Sequence, residues 1–167
     1  MSLCVGLFGT CGRSKWRGPF VKAFTNLGYS FFNPQKENWS PDDAVEEAKH
    51  LAEDKILLFP ITSETYASGS LAEVGFSILN AIRLDDRRNF VIFIDPQLDK
   101  DILEENSVAA KESLRSRKLV IEHLKKLKID NVYIVDSMGE MLQTSLILYR
   151  IEEDRKALNH LNPQNRG

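Results

Sequence analysis

Short unbroken apolar runs alternate along this chain with longer stretches in which apolar residues recur every third or fourth position. Leu3–Phe8 reads as a first strand, closed by Gly9. Trp16–Leu27 reads as a helix with Phe20, Ala23, Phe24 and Leu27 on one face, and Gly28 stands where a helix stops. Tyr29–Phe32 is a second strand, ended by Asn33-Pro34. Ser40-Pro41-Asp42-Asp43 marks a helix start: a serine cap, proline at the first helical position, and two carboxylates at the positive end of the dipole. Ala44, Val45, Ala48 and Leu51 form the apolar stripe expected to face inward. Lys55–Pro60 is a third strand, and the run Ile56, Leu57, Leu58 and Phe59, unbroken by polar residues, predicts burial on both faces. Ser70–Ile82 then reads as a helix with Leu71, Val74, Ile78, Leu79 and Ile82 inward.

Phe90–Ile94 and Val132–Val135 are the fourth and fifth strands. The charged segment Pro96–Glu105 reads as a surface connection. Ser107–Lys126 reads as a helix whose polar middle, Glu112–Lys118, is a candidate break. Ser137–Leu158 is the last helix, with Ser137 and Glu140 in capping-box spacing. Strand–helix alternation of this kind predicts a parallel sheet covered on both faces. One domain over residues 1–158, followed by a polar tail at 159–167, accounts for the pattern.

Composition narrows the function classes. With 43% apolar and 28% charged residues among 167, the chain suits one compact domain rather than a disordered one. The formal charge is −2 and the 22 basic residues are dispersed, so no footprint for a nucleic-acid polymer is expected. No apolar run approaches the roughly 20 residues of a membrane span, and the N-terminus lacks a leader pattern. Cys4 and Cys11 form no Cys-x-x-Cys pair, and His50, His123 and His160 fall in unrelated segments. A reduced, cytoplasmic protein without metal or cofactor is the expectation.

The most informative run is Gly69-Ser70-Leu71-Ala72-Glu73, one short loop after the third strand. Ser70 and Glu73 have capping-box spacing, which alone would explain the glutamate. The preceding loop, Thr62–Gly69, is rich in Ser, Thr and Gly, and ligands of open α/β sheets bind beyond the C-terminal strand ends. A carboxylate there, kept ionised by a helix N-terminus, is competent to attack an electrophilic sugar carbon. The loop Gly9-Thr10-Cys11-Gly12-Arg13-Ser14 joins the first strand to a helix and suits a phosphate or a sugar hydroxyl. It matches neither a Walker loop nor a dinucleotide fingerprint. Cys11 is a candidate nucleophile without a histidine near it in sequence. Trp16 and Trp39 are either core or flat walls for a nucleobase. Helical spacing sets one of Glu46 and Glu47 beside the cleft.

Gly9-Thr10-Cys11, Ser14, Trp16-Arg17, Asn33-Pro34, Trp39 and Gly69-Ser70-Leu71-Ala72-Glu73-Val74 occur in this order. In that order and spacing, over residues 3–95, the chain resembles the nucleoside 2-deoxyribosyltransferase-like family, in its branch with a Gly-Thr-Cys loop. The resemblance implies a flavodoxin-like three-layer sandwich with a five-stranded parallel sheet. It also implies transfer of 2-deoxyribose between nucleobases, with no cofactor, in a homo-oligomer whose partners are a small-molecule nucleoside and a nucleobase. By position it makes Glu73 the nucleophile and Glu46 an acid touching the base. Gly9, Thr10 and Cys11 would line the pocket with Trp16, and Asn33 and Trp39 would border it. Members often carry an aspartate six residues before the nucleophile; Ala67 stands there, and Ser68, Ser70 or Glu64 are the nearby polar groups. Two alternatives stay open beside the transferase: an N-glycoside hydrolase, with Arg13, Lys15 and Arg17 meeting a phosphate, and a catalytically silent nucleotide sensor.

Overall fold

The computed structural model describes residues 3–36, 40–75 and 88–162. Its strands are β1 (Val5–Leu7), β2 (Phe31–Phe32), β3 (Ile56–Ile61), β4 (Asn89–Ile94) and β5 (Val132–Ile134). They form one five-stranded sheet in the order β2-β1-β3-β4-β5, with every pairing parallel. The helices are α1 (Arg17–Leu27), α2 (Pro41–Glu53), α3 (68–75), α4 (Lys100–Glu105), α5 (Ser107–Leu124) and α6 (Met138–Leu158). This is the flavodoxin-like arrangement expected from the sequence.

The unbroken apolar run of β3 explains the three layers. Leu57, Phe59 and Ile61 pack on one face with Phe90, Ile92, Leu71, Val74 and Leu124. Ile56 and Leu58 point to the other face and meet Phe20 and Phe24 of α1, and Met141, Leu148 and Tyr149 of α6. Helices α2, α3 and α5 therefore cover one side of the sheet, and α1 and α6 cover the other. No helix among the described residues is long and apolar enough to cross a membrane.

Four local expectations fail for identifiable reasons. The charged connection contains helix α4, whose Ile102 is buried with Leu98 and Ala110. Helix α5 runs unbroken through Glu112–Lys118. Its polar middle is not a break, because Ser113 and Arg117 point inward and are buried. The third helix begins two residues early: the Leu71 N–H donates to the Ala67 carbonyl at 3.0 Å, so Ser70 lies inside the first turn and forms no capping box with Glu73. Helix α2 is turned relative to its predicted stripe. Ala44, Val45 and Ala48 face outward, whereas Asp43, Glu47, His50 and Leu51 face the protein. Asp43 takes the capping-box position, accepting from the Ser40 N–H at 2.7 Å. Ile78, Leu79 and Ile82 lie outside the described residues.

Arg117 has no exposed surface and ties the C-terminal ends of two strands together. Its guanidinium donates to the carbonyls of Ile61 (3.3 Å), Asp95 (2.9 Å), Thr62 (2.9 Å) and Thr65 (2.7 Å). Its Nε donates to the Ser113 hydroxyl at 3.2 Å. Arg117→Met keeps the length and removes these donors; the Ile61 carbonyl keeps the Asp95 N–H at 2.8 Å, and each of the others left unpaired costs about 1–3 kcal/mol. The expected loss in urea unfolding is about 3 kcal/mol or more. A loss of about 0.5 kcal/mol, the scale of an ordinary surface change, would contradict this role.

Candidate active site

The strand order reverses direction between β1 and β3, and the loops leaving their C-terminal ends part there. Gly9 has φ +90°, and a Cβ on it would stand 2.6 Å from the Pro60 carbonyl oxygen. Only glycine allows that approach without strain. The approach lets the Thr10 N–H and hydroxyl donate to the Pro60 carbonyl at 2.9 and 3.0 Å. The Thr62 N–H donates back to the Thr10 hydroxyl at 3.0 Å. The two loops are thus clasped at the base of the crevice.

Above the clasp lies a cavity of about 360 Å³, within the range of small-molecule sites. Phe8, Gly9 and Cys11 line it from the first loop, and Pro34 from the end of β2. Arg17 and Glu47 reach it from α1 and α2. Thr65 and Ala67 come from the loop after β3, and Gly69, Ser70 and Glu73 from α3. Ala67 has φ +55°, a left-handed conformation that turns the chain into α3 at some cost for a residue with a Cβ. A larger hollow of about 1370 Å³ lies at the opposite edge of the sheet, by Leu3, Lys55 and the end of α6. There the carboxylate of Glu152 is already held by Asn89 and Arg155.

Glu73, Gly9, Cys11 and Ser70 therefore share one cavity. Other expected residues do not reach it. Thr10 is turned inward to its clasp. Trp16 is buried, donates its indole N–H to the Thr10 carbonyl at 2.9 Å, and packs edge-on against Phe20. It positions the loop instead of walling the pocket. Asn33 accepts from the Gln35 N–H at 3.1 Å, leaving Pro34 to line the cavity. Glu46 points to the outer side of α2 and pairs with Lys36 at 2.9 Å. The helix turns Glu47 to the cavity in its place. Ser68 is exposed, and neither it nor Glu64 lines the cavity. Trp39 lies outside the described residues.

Arg17 is the group that sequence reasoning undervalued. It is 3% exposed. Its Nε donates to the Leu7 carbonyl at 2.9 Å and one terminal nitrogen to Thr10 at 2.8 Å. Longer contacts run to Gln35 Oε1 and the Gly9 carbonyl at 3.5 Å, and to Cys11 Sγ at 3.4 Å. Burial lowers its pKa, opposed by Cys11, Glu73 and Glu47. The guanidinium also stacks 4.6 Å from the Trp16 ring. A buried arginine whose acceptors are mostly backbone carbonyls leaves no pattern in sequence.

Burial pushes the Glu73 carboxyl above the ordinary carboxylate range. The neighbouring Glu47 pushes it further, and the Arg17 cation partly opposes both. This reverses the expectation of a helix dipole holding Glu73 ionised, since Glu73 lies beyond the first turn of α3. No curated protein and no family model matches the chain.

A raised pKa has a thermodynamic signature. The folded protein holds a proton on Glu73 over a pH window where the unfolded chain has lost it, so stability falls as pH rises through that window. At pH 7 the ionised side chain is a cost. Glu73→Gln is expected to raise unfolding stability at neutral pH by about 0.5–1 kcal/mol. The difference from wild type should shrink as pH falls towards the ordinary glutamate value of about 4.3. A glutamine variant less stable than wild type at pH 7 would contradict the burial of an ionised Glu73.

Proposed function

We propose that this cavity breaks and remakes the N-glycosidic bond of a deoxynucleoside, moving 2-deoxyribose between nucleobases through an ester on Glu73. The observation that carries this reading is the partly buried Glu73 carboxylate, set in a crevice with a second carboxyl, Glu47, and a fixed cation, Arg17. The ordered Gly-Thr-Cys, Trp-Arg and Gly-Ser-Leu-Ala-Glu motifs support the same family reading.

The chemistry balances with these groups alone. A Glu73 carboxylate oxygen forms a bond to the anomeric carbon as the carbon–nitrogen bond breaks. The electron pair of that bond leaves on the base nitrogen, and Glu47 in its acid form supplies the proton the base needs. A second base, deprotonated by the Glu47 carboxylate, then attacks the anomeric carbon. The ester bond breaks and Glu73 is restored. The Glu47 charge raises the Glu73 pKa, so a division with one carboxyl ionised and one protonated suits the pair. Arg17 sustains the ionised partner against burial.

An unphosphorylated substrate fits better than a nucleotide. Each N–H of Arg17 faces an acceptor of the chain itself. Arg13 is exposed and pairs with Asp101 at 3.5 Å, and Lys15 does not line the cavity. The outward apolar face of α2, with Val45 72% exposed beside the cavity-lining helix face, supports assembly with a second copy.

Incubation with deoxyinosine and adenine should yield deoxyadenosine, and Glu73→Ala should abolish the product while unfolding normally. Glu47→Gln should lower kcat/KM by about 10²–10⁴-fold. Activity of the wild type should fall on its acid side at a pH above the usual carboxylate range, because the nucleophile must be ionised. Removing the Glu47 charge should move that limb to lower pH. Absence of base exchange with any deoxynucleoside would contradict the transferase reading, and release of free base without an acceptor would redirect it to hydrolysis.

A further inference from the structure

The opposite edge of the sheet gathers a second group of chemistry-bearing side chains. Cys4 immediately precedes β1, Asp54 follows the last residue of α2, and His50 lies one turn earlier on that helix. The parallel pairing of β1 with β3 draws them together, with the Ile56 N–H donating to the Cys4 carbonyl at 3.2 Å. One donor atom from each of the three side chains lies within 4.8 Å of the others. His50 Nδ1 stands 2.9 and 3.1 Å from the two Asp54 carboxylate oxygens. The sequence offered no such cluster, because its members are separated by 46 and 4 positions and the strand pairing alone unites them.

Access and rigidity both suit a bound ion. Asp54 and Cys4 are 1% and 4% exposed, while the His50 side chain keeps 26% of its surface. The group therefore meets solvent past the imidazole. The Phe32 ring stacks flat on that imidazole, with centroids 3.8 Å apart and planes 4° apart. Arg88 fixes the Asp54 backbone, donating to its carbonyl at 2.7 Å.

We propose that Cys4, His50 and Asp54 form a site for one transition-metal ion of the zinc class, with a fourth position open to water beside His50. Thiolate, imidazole and carboxylate are the zinc donors of proteins. Donors of one tetrahedral zinc lie about 3.3–3.7 Å apart, so the widest pair needs to close by roughly an ångström and the His50–Asp54 pair to part by a few tenths of one. The ion displaces the thiol proton of Cys4, and the Nδ1 proton leaves or moves to Nε2. Two anionic donors and a neutral imidazole then balance a divalent charge. In the metal-free protein, burial and the Asp54 carboxylate push the Cys4 thiol up to about 12, so it is no nucleophile on its own. A coordinated cation reverses that balance. Burial raises the Asp54 pKa, opposed by His50, Cys4 and Arg88, and Arg88 is the nearby cation working against the ion. Bound metal would pin the end of α2 to the starts of β1 and β3, one turn from Glu47.

The full-length chain, stripped with chelator, is titrated with Co²⁺ as a spectroscopic substitute for Zn²⁺. One equivalent should produce a near-ultraviolet thiolate-to-cobalt charge-transfer band and the visible bands of a four-coordinate ion, and Zn²⁺ should erase both. The chain has two cysteines, which makes the assignment decisive. Cys4→Ser should abolish the charge-transfer band and Cys11→Ser should leave it. Asp54→Asn and His50→Gln should weaken binding tenfold or more. His50 is partly exposed, so its variant decides the matter if Cys4→Ser or Asp54→Asn fails to fold by circular dichroism. A titration without the band, a band that survives Cys4→Ser or is lost in Cys11→Ser, or unchanged affinity in His50→Gln would overturn the site and leave a buried His50–Asp54 pair.

Discussion

Two buried guanidiniums hold the C-terminal edge of this sheet. Backbone carbonyls that leave the ends of parallel strands have no ladder partner, and burial without a partner is costly. Arg17 enters from the α1 side and takes the carbonyls at the end of β1. Arg117 enters from the α5 side and takes those at the ends of β3 and β4. Each offers several carbonyls one rigid, planar set of donors. The loops that form the crevice can therefore be irregular and still be fixed, which a site built on loops requires.

Arg17 also sets the electrostatics of the crevice. A carboxylate placed in this crevice loses hydration and meets a like charge, and both raise its pKa. Arg17 opposes these effects through its charge, while its donors are occupied by the chain. It acts on Glu73 as a fixed field and not as a hydrogen-bond partner, and Glu73 has no hydrogen-bond partner among the described residues. That is an expensive arrangement for a folded protein, and its cost is the physical argument behind the proposed chemistry.

The fold was legible because it rests on apolar runs and their spacing. Ile56–Ile61 and Phe90–Ile94 are apolar throughout because both faces of their sheet are covered. Glu73 was legible because its place after β3 follows from chain order. What could not be read was rotation about a helix axis and partnership with backbone. Helix α2 inverts its expected polarity because its inward polar residues have specific work: Asp43 caps, Glu47 lines the cavity and His50 meets Asp54. Leu51 was the available signal, since a residue one turn before a core leucine shares its face, and that residue is Glu47. Thr10, Trp16 and Arg17 are adjacent in motif, yet two of them serve the clasp and only the third reaches the cavity. Sequence order cannot separate those duties, because they depend on a contact with Pro60, fifty positions away.

The central claim is a transient bond between Glu73 and a sugar, and intact-protein mass spectrometry with peptide mapping after rapid acid quench reads it directly. With a deoxynucleoside and no acceptor base, one deoxyribosyl group should appear on the peptide containing Glu73, and vanish when an acceptor base is added before the quench. Exchange that proceeds without any adduct, or an adduct on the peptide bearing Cys11 instead, would contradict the account.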